Sequence, residues 1–181
     1  MKPLRVVAAS VVLGLLGLLV WDFAHSHGSG VARNVDRGEV VAAPALELPR
    51  LDTTGRFDLA SYRGKVVVVN FWASWCVDCK LEAKTFAQAA RHWQGKDVVF
   101  LGVDSQDGSG PARRYMRKYK MDYPVVHDGA GTQGSQRWGV TGYPETFIVD
   151  RTGQIPGHAH WAAPIVSTAT LNAAIRHALQ S

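Results

Sequence analysis

Apolar positions along this chain change pattern from one segment to the next. Val6 to Trp21 is apolar almost without interruption and follows Lys2 and Arg5. Val66 to Phe71 is a nearly unbroken β-branched run, which predicts a strand buried on both faces, as in the middle of a parallel sheet, and Val98 to Val103 predicts the next strand. Between these runs Cys79, Ala83, Phe86, Ala90 and Trp93 recur at three- and four-residue spacing, so Lys80 to Trp93 reads as a helix with one apolar stripe facing the sheet.

The remaining elements follow from weaker signals. Ala45 to Leu48 and Phe57 to Leu59 flank Asp52-Thr53-Thr54-Gly55 and predict a hairpin. Pro111 to Tyr119 predicts a second helix, with proline tolerated in its first turn. Pro124 to His127 predicts a short strand and Gln133 to Trp138 a short helix. Glu145 to Val149 is a further strand, and Asp150-Arg151-Thr152-Gly153 turns it towards a partner near Gln154-Ile155, where Pro156 marks a sheet edge. Leu171 to Leu179 closes the chain as a helix. Strands and helices alternate and a hairpin follows, so the class is α/β with a central mixed sheet flanked by helices. No internal repeat is present.

Composition then narrows the setting. At 181 residues and 46% hydrophobic, the chain can bury one real core without disulfide staples. The net charge of +5 comes from scattered residues. Their densest cluster, Arg113 to Lys118, reads as a solvated helix face, so no nucleic-acid partner is expected. The basic flank, the apolar run and Trp21 at its end predict a membrane anchor over residues 1–24 or a cleaved export signal ending near Ala24-His25-Ser26, and either puts the remainder outside the cytoplasm. Residues 25–43 lack a sustained period and read as a flexible linker. Residues 44–181 form the domain.

The chemistry centres on the chain's two cysteines, Cys76 and Cys79. A strand that delivers Cys-x-x-Cys to the start of a helix suits reversible dithiol–disulfide exchange. The helix start favours a thiolate at Cys76 through its partial positive charge and free N–H groups. Cys79 lies on the apolar stripe, which predicts a buried second sulfur behind an exposed first one. Asp78 between them opposes the thiolate or acts as a helix-dipole partner. Glu82 either assists proton transfer at Cys79 or is an exposed helix residue. Trp75 shields one side of the site or simply packs. In Thr141-Gly142-Tyr143-Pro144-Glu145 the proline between loop and strand is either a cis residue in a tight turn or a trans strand start.

Taken together, Asn70 to Cys79, Glu82 and Gly139 to Phe147, with Leu51-Asp52, Leu59, Tyr62 and Gly64-Lys65 ahead of them, resemble membrane-tethered thioredoxin-like proteins of the TlpA, ResA and DsbE (CcmG) type. The likeness covers roughly residues 44–158. It implies a thioredoxin fold with an N-terminal hairpin extension, Cys76 as attacking thiol, Cys79 as resolving thiol, and cis-Pro144 beside them. It also implies that the backbone at Tyr143 pairs with an extended client segment. Such proteins reduce disulfides outside the cytoplasm, often in apocytochrome c, and are recharged by a membrane electron shuttle of the CcdA or DsbD kind. Neither metal nor cofactor is implied. The chain departs from many relatives in carrying Asp78 before the second cysteine and Lys84 within the helix, where proline is common. Asp78 and Glu145, both acidic, would raise the Cys76 pKa and make the pair a reductant.

Rival readings rest on other residues. A thioredoxin-fold copper chaperone would use the cysteines with His158 or His160, or with His25 and His27, although its Cys-x-x-x-Cys spacing is missing. A peroxidase would place threonine and proline ahead of its reactive cysteine, and Asn70 to Trp75 has neither. Gly129 to Gly134 fits a dinucleotide fingerprint, but the helix after it is too short and no second mononucleotide half follows.

Overall fold

The computed structural model describes residues 14–17 and 30–181. The expected membrane segment falls outside the described residues, apart from a helical turn at residues 14–17. Among the described residues no helix is long and apolar enough to cross a membrane.

The core is built around β4 (Val66–Trp72), buried along its whole length. It pairs in parallel with β5 (Val98–Ser105) and antiparallel with β7 (Glu145–Val149). β6 (Val125–Asp128) adds to β5 in parallel and β9 (His160–Trp161) to β7 antiparallel, giving the order β6-β5-β4-β7-β9. Successive β4 side chains point to opposite faces. Val66, Val68 and Trp72 meet α2 (Cys79–Trp93), α3 (Ser109–Tyr119) and α5 (Thr168–Ala178) through Phe86, Tyr115, Leu171 and Ile175. Val67, Val69 and Phe71 meet Leu48 and Phe57 of the hairpin β2–β3 (Glu47–Pro49, Arg56–Asp58) and Trp138 of α4 (Ser135–Trp138). This mixed, two-faced sheet is the α/β architecture expected.

Two expectations need correction. The linker over residues 25–43 is not a free tether along its length. Val31–Asp36 forms α1, and Val31 and Val35 are buried in the core on the hairpin side. Past the helix, Val41–Ala42 forms β1, which pairs antiparallel with β8 (Gln154–Ile155). Apolar residues four apart on a single short turn carry too little periodicity to stand out in the sequence. Gly157 permits this docking, because a Cβ there would come within 2.2 Å of the Gly38 carbonyl oxygen. The second correction follows from the first. β8 turns back over one tight loop but pairs with β1, and the sheet's edge strand beside β7 is β9.

Candidate active site

β4 ends at Trp72, and the Ala73-Ser74-Trp75 turn carries the chain to Cys76, three residues before α2 begins at Cys79. The two sulfurs are bonded. Cys76 Sγ accepts a hydrogen bond from the Cys79 backbone N–H at 3.0 Å, a free donor of the first helical turn, which is the interaction that stabilises a thiolate there. On its other side the Tyr143 carbonyl oxygen lies 3.4 Å from the same sulfur. Squeezed between helix start and loop, Cys76 is only 5% exposed, so both cysteines are buried, contrary to the expectation of an exposed first sulfur. Tyr115 locks the helix start, donating to the Cys79 carbonyl at 2.7 Å and stacking on Trp72.

The peptide bond between Tyr143 and Pro144 is cis. Trp75 is exposed and ties down to the Gln106 carbonyl, with its ring edge-on to Tyr143 at 5.8 Å between centroids. Trp75, Val77 and Leu81, which flank the cysteines in sequence, are large apolar side chains exposed to solvent. Asp78 is exposed and makes no capping hydrogen bond with the helix it precedes.

Glu82 is not the exposed helix residue considered above. It is 1% exposed, beneath the first turn of α2. One oxygen accepts from Asn70 Nδ2 at 2.7 Å and the other from the Ile165 backbone at 2.9 Å. Burial without a cation pushes its carboxyl up to about 7, and those two hydrogen bonds only partly offset the effect. A group poised there exchanges protons near neutral pH.

Glu145 was expected to add unpaired negative charge near Cys76, and it does not. It is equally buried, but His160 Nε2 stands 2.9 Å from its Oε2, while Thr141 and Gly142 donate to Oε1. Burial acts to raise this carboxyl, but the hydrogen bonds from His160 and the two backbone amides outweigh it and hold the group below its ordinary value.

Residues 41–157 match the AhpC/TSA family. The chain belongs to that family. It is similar to the thiol:disulfide interchange protein HelX of Rhodobacter capsulatus, 29% identical over 155 residues that cover 85% of this chain and 84% of HelX. It is also similar to the thiol-disulfide oxidoreductase ResA of Bacillus subtilis, 30% identical over 146 residues, covering 80% and 76% of the two chains. A crystal structure of a thioredoxin-family thiol:disulfide interchange protein from Chlorobium tepidum superposes with a TM-score of 0.67 at 27% identity, covering 78% of this chain and 97% of that one. The fold is thioredoxin-like, and the chemistry of this AhpC/TSA member is that of a protein-disulfide oxidoreductase.

Sequence reasoning missed a polar cluster on the far side of the cysteine turn. Asp107 accepts from the Ser74 amide at 2.6 Å, and Asp104 faces His127 Nδ1 at 2.6 Å. Burial, then the neighbouring Asp107 charge, pushes the Asp104 carboxyl up to about 8. Polar residues at the end of an apolar strand (Asp104 in Val98–Ser105) were the available signal. Asn70, the one amide in the β4 run, equally marked the Glu82 network.

The rival motifs resolve in physical terms. The Gly129–Gly134 turn wraps the chain's own Asp128, whose carboxylate accepts from Gln133, Gly134 and Ser135, so it fills the cradle a phosphate would need. Both ring nitrogens of His160 are engaged with carboxylates, while the His158 ring packs over Gly38. Among the described residues no three His, Cys, Asp or Glu side chains converge on a metal position. His25 and His27 lie outside the described residues.

Proposed function

We propose that this chain reduces disulfides in protein clients outside the cytoplasm, held at the membrane by residues 1–24. Cys76 thiolate attacks one sulfur of the client disulfide, the client's other sulfur leaves as thiolate, and a mixed disulfide forms. Cys79 then loses its proton and attacks Cys76 Sγ. The client departs with both thiols, having gained two electrons, and the Cys76–Cys79 bond remains. Glu82 accepts the Cys79 proton, Trp75 covers the exchanging sulfurs, and the Tyr143 backbone beside cis-Pro144 receives an extended client segment. No cofactor enters these steps.

The observation that carries this reading is the position of Cys76 Sγ between the Cys79 N–H and the Tyr143 carbonyl. A sulfur placed there meets both a thiolate-stabilising donor and a backbone edge free to pair. Clients include apocytochrome c awaiting haem, and a membrane electron shuttle of the CcdA or DsbD kind restores the dithiol. The reductive direction follows from Asp78, whose charge opposes the thiolate now that His160 offsets Glu145. A reduction potential near about −120 mV, that of a strong oxidant, contradicts it. The identity of the clients is tested with a Cys79→Ser variant in the native host, which leaves mixed disulfides at Cys76 unresolved. Captured apocytochromes or their maturation factors support the proposal, whereas a broad sweep of unrelated exported proteins points to a general oxidoreductase.

A further inference from the structure

A chain of ionisable groups joins the segment ahead of the domain to the loop in front of cis-Pro144. Glu145 Oε1 accepts from Thr141 N at 2.8 Å, Thr141 Oγ1 at 3.1 Å and Gly142 N at 3.0 Å. Its other oxygen meets His160 Nε2 at 2.9 Å, and His160 Nδ1 meets Asp36 Oδ1 at 2.8 Å. Carboxylate oxygens only accept, so a proton sits on each ring nitrogen and the side chain is an imidazolium. The ring is 3% exposed, stacked on Phe147 at 4.3 Å, and fixed by β9 pairing with β7. Its anchor on the far side, Asp36, belongs to α1, which the buried Val35 and the His158 N–H to Val35 carbonyl bond at 2.8 Å hold in place. Thr141 and Gly142 are themselves exposed, and the next residue, Tyr143, presents its carbonyl to Cys76.

We infer that His160 is a positioning residue for disulfide exchange: bonded to Asp36 and Glu145, it sets the Thr141–Tyr143 backbone to receive an extended client chain. This rests on the oxidoreductase reading and adds to it. His160 touches neither sulfur, so it governs how a peptide is held while the sulfur chemistry proceeds without it. It also gives the α1 segment a part in client recognition that a tether does not have.

Two substrates separate these roles. The reduced full-length protein is mixed with hydroxyethyl disulfide, too small to use the loop, or with a disulfide-bonded peptide, and both second-order rate constants are measured from pH 6 to 9. Because the same thiolate attacks both, their ratio cancels the ionisation of Cys76. His160→Ala is expected to lower the peptide rate about tenfold, since slight misplacement of a bound chain is costly, and to keep the small-disulfide rate within about twofold. Asp36→Asn gives a smaller loss of the same kind. The ionisable groups facing the imidazolium are Asp36 from α1 and Glu145 from β7. Burial favours the neutral ring, but these two outweigh it, so the proton persists above the ordinary histidine value of 6.5. The peptide-to-small ratio of the wild type therefore falls as pH rises through that elevated value, and in His160→Ala it is flat. Equal loss with both substrates, or no loss with the peptide, overturns the inference. Asp36→Asn, read with the same two substrates, decides even if the alanine variant does not fold. If the reduced protein attacks neither disulfide, the oxidoreductase reading falls and takes this inference with it.

Discussion

Glu82 and Glu145 are two carboxylates buried to nearly the same degree beside one pair of cysteines, and they are driven in opposite directions. Under α2, Glu82 meets only neutral donors, Asn70 and the Ile165 amide, and burial pushes it up to about 7. Under the cis-proline loop, Glu145 meets a histidine cation and two backbone amides, and it stays ionised. Burial alone therefore does not set a carboxyl's charge; the charge of the partner does. One side of the site holds a group that trades protons at neutral pH. The other holds a fixed ion pair that shapes a loop. In the proposed reading, the first side does the chemistry and the second holds the client.

Removing the proton acceptor is the harshest way to break the comparison. Glu82→Gln keeps the volume but cannot take the Cys79 proton. We expect resolution of the mixed disulfide to slow about a hundredfold, while formation of the mixed disulfide at Cys76 stays near the wild-type rate. In the wild type the resolution rate should rise with pH through about 7, as the carboxylate form appears, and this limb should vanish in the variant. Rapid-quench trapping of the two steps checks both points. An unchanged resolution step makes Glu82 purely structural.

Glu145→Gln tests the other side, where the cost should fall on stability. A buried pair that loses one partner leaves the His160 charge with Asp36 alone, and we expect a loss of about 3 kcal/mol on unfolding by urea. The two carboxyls also predict opposite pH trends. Glu145, held below its ordinary 4.5, stabilises the fold fully above that value and loses the contribution as pH falls through its lowered pKa. His160, held above 6.5, contributes fully below that value and loses the contribution as pH rises through its raised pKa. Glu82, held above 4.5, acts the other way from Glu145, because the fold keeps its proton longer than the unfolded chain does. Its charging weakens the fold as pH climbs from 4.5 through about 7. Urea midpoints for wild type, Glu82→Gln and Glu145→Gln from pH 3 to 9 follow these trends.

How far each side could be read in advance follows the same division. The chemical side was legible because it is local: strand, turn, Cys-x-x-Cys and helix follow one another from Val66 to Trp93, and each carries its own period. The hairpin and the proline loop were legible for the same reason, with the cis bond at Pro144 in the expected place. Glu82 was harder, since a charge on a helix reads as exposed. Only its counterpart Asn70, polar amid valines, hinted that a buried acid needed a donor. The ion-paired side was nearly illegible. Asp36, Glu145 and His160 are separated by up to 124 positions, and α1 has one turn's worth of apolar spacing. His158 and His160 drew notice as metal ligands, but the structure ties His160 to two carboxylates.

Asp78 offers the finest adjustment, because it stands between the two cysteines in sequence yet faces water. It makes no capping bond with the helix it precedes, so only its screened charge reaches Cys76. Asp78→Asn removes that charge, stabilises the thiolate slightly, and should move the reduction potential by about 10 mV in the more oxidising direction. Raising the salt from 0.05 M to 1 M should erase the difference between variant and wild type, since the Debye length shrinks from roughly 14 Å to about 3 Å. A shift of the opposite sign, or one that survives high salt, means the side chain acts on the helix start by contact. In that case the exposed acid must be grouped with the buried pair, and its charge no longer supports the proposed reductive direction.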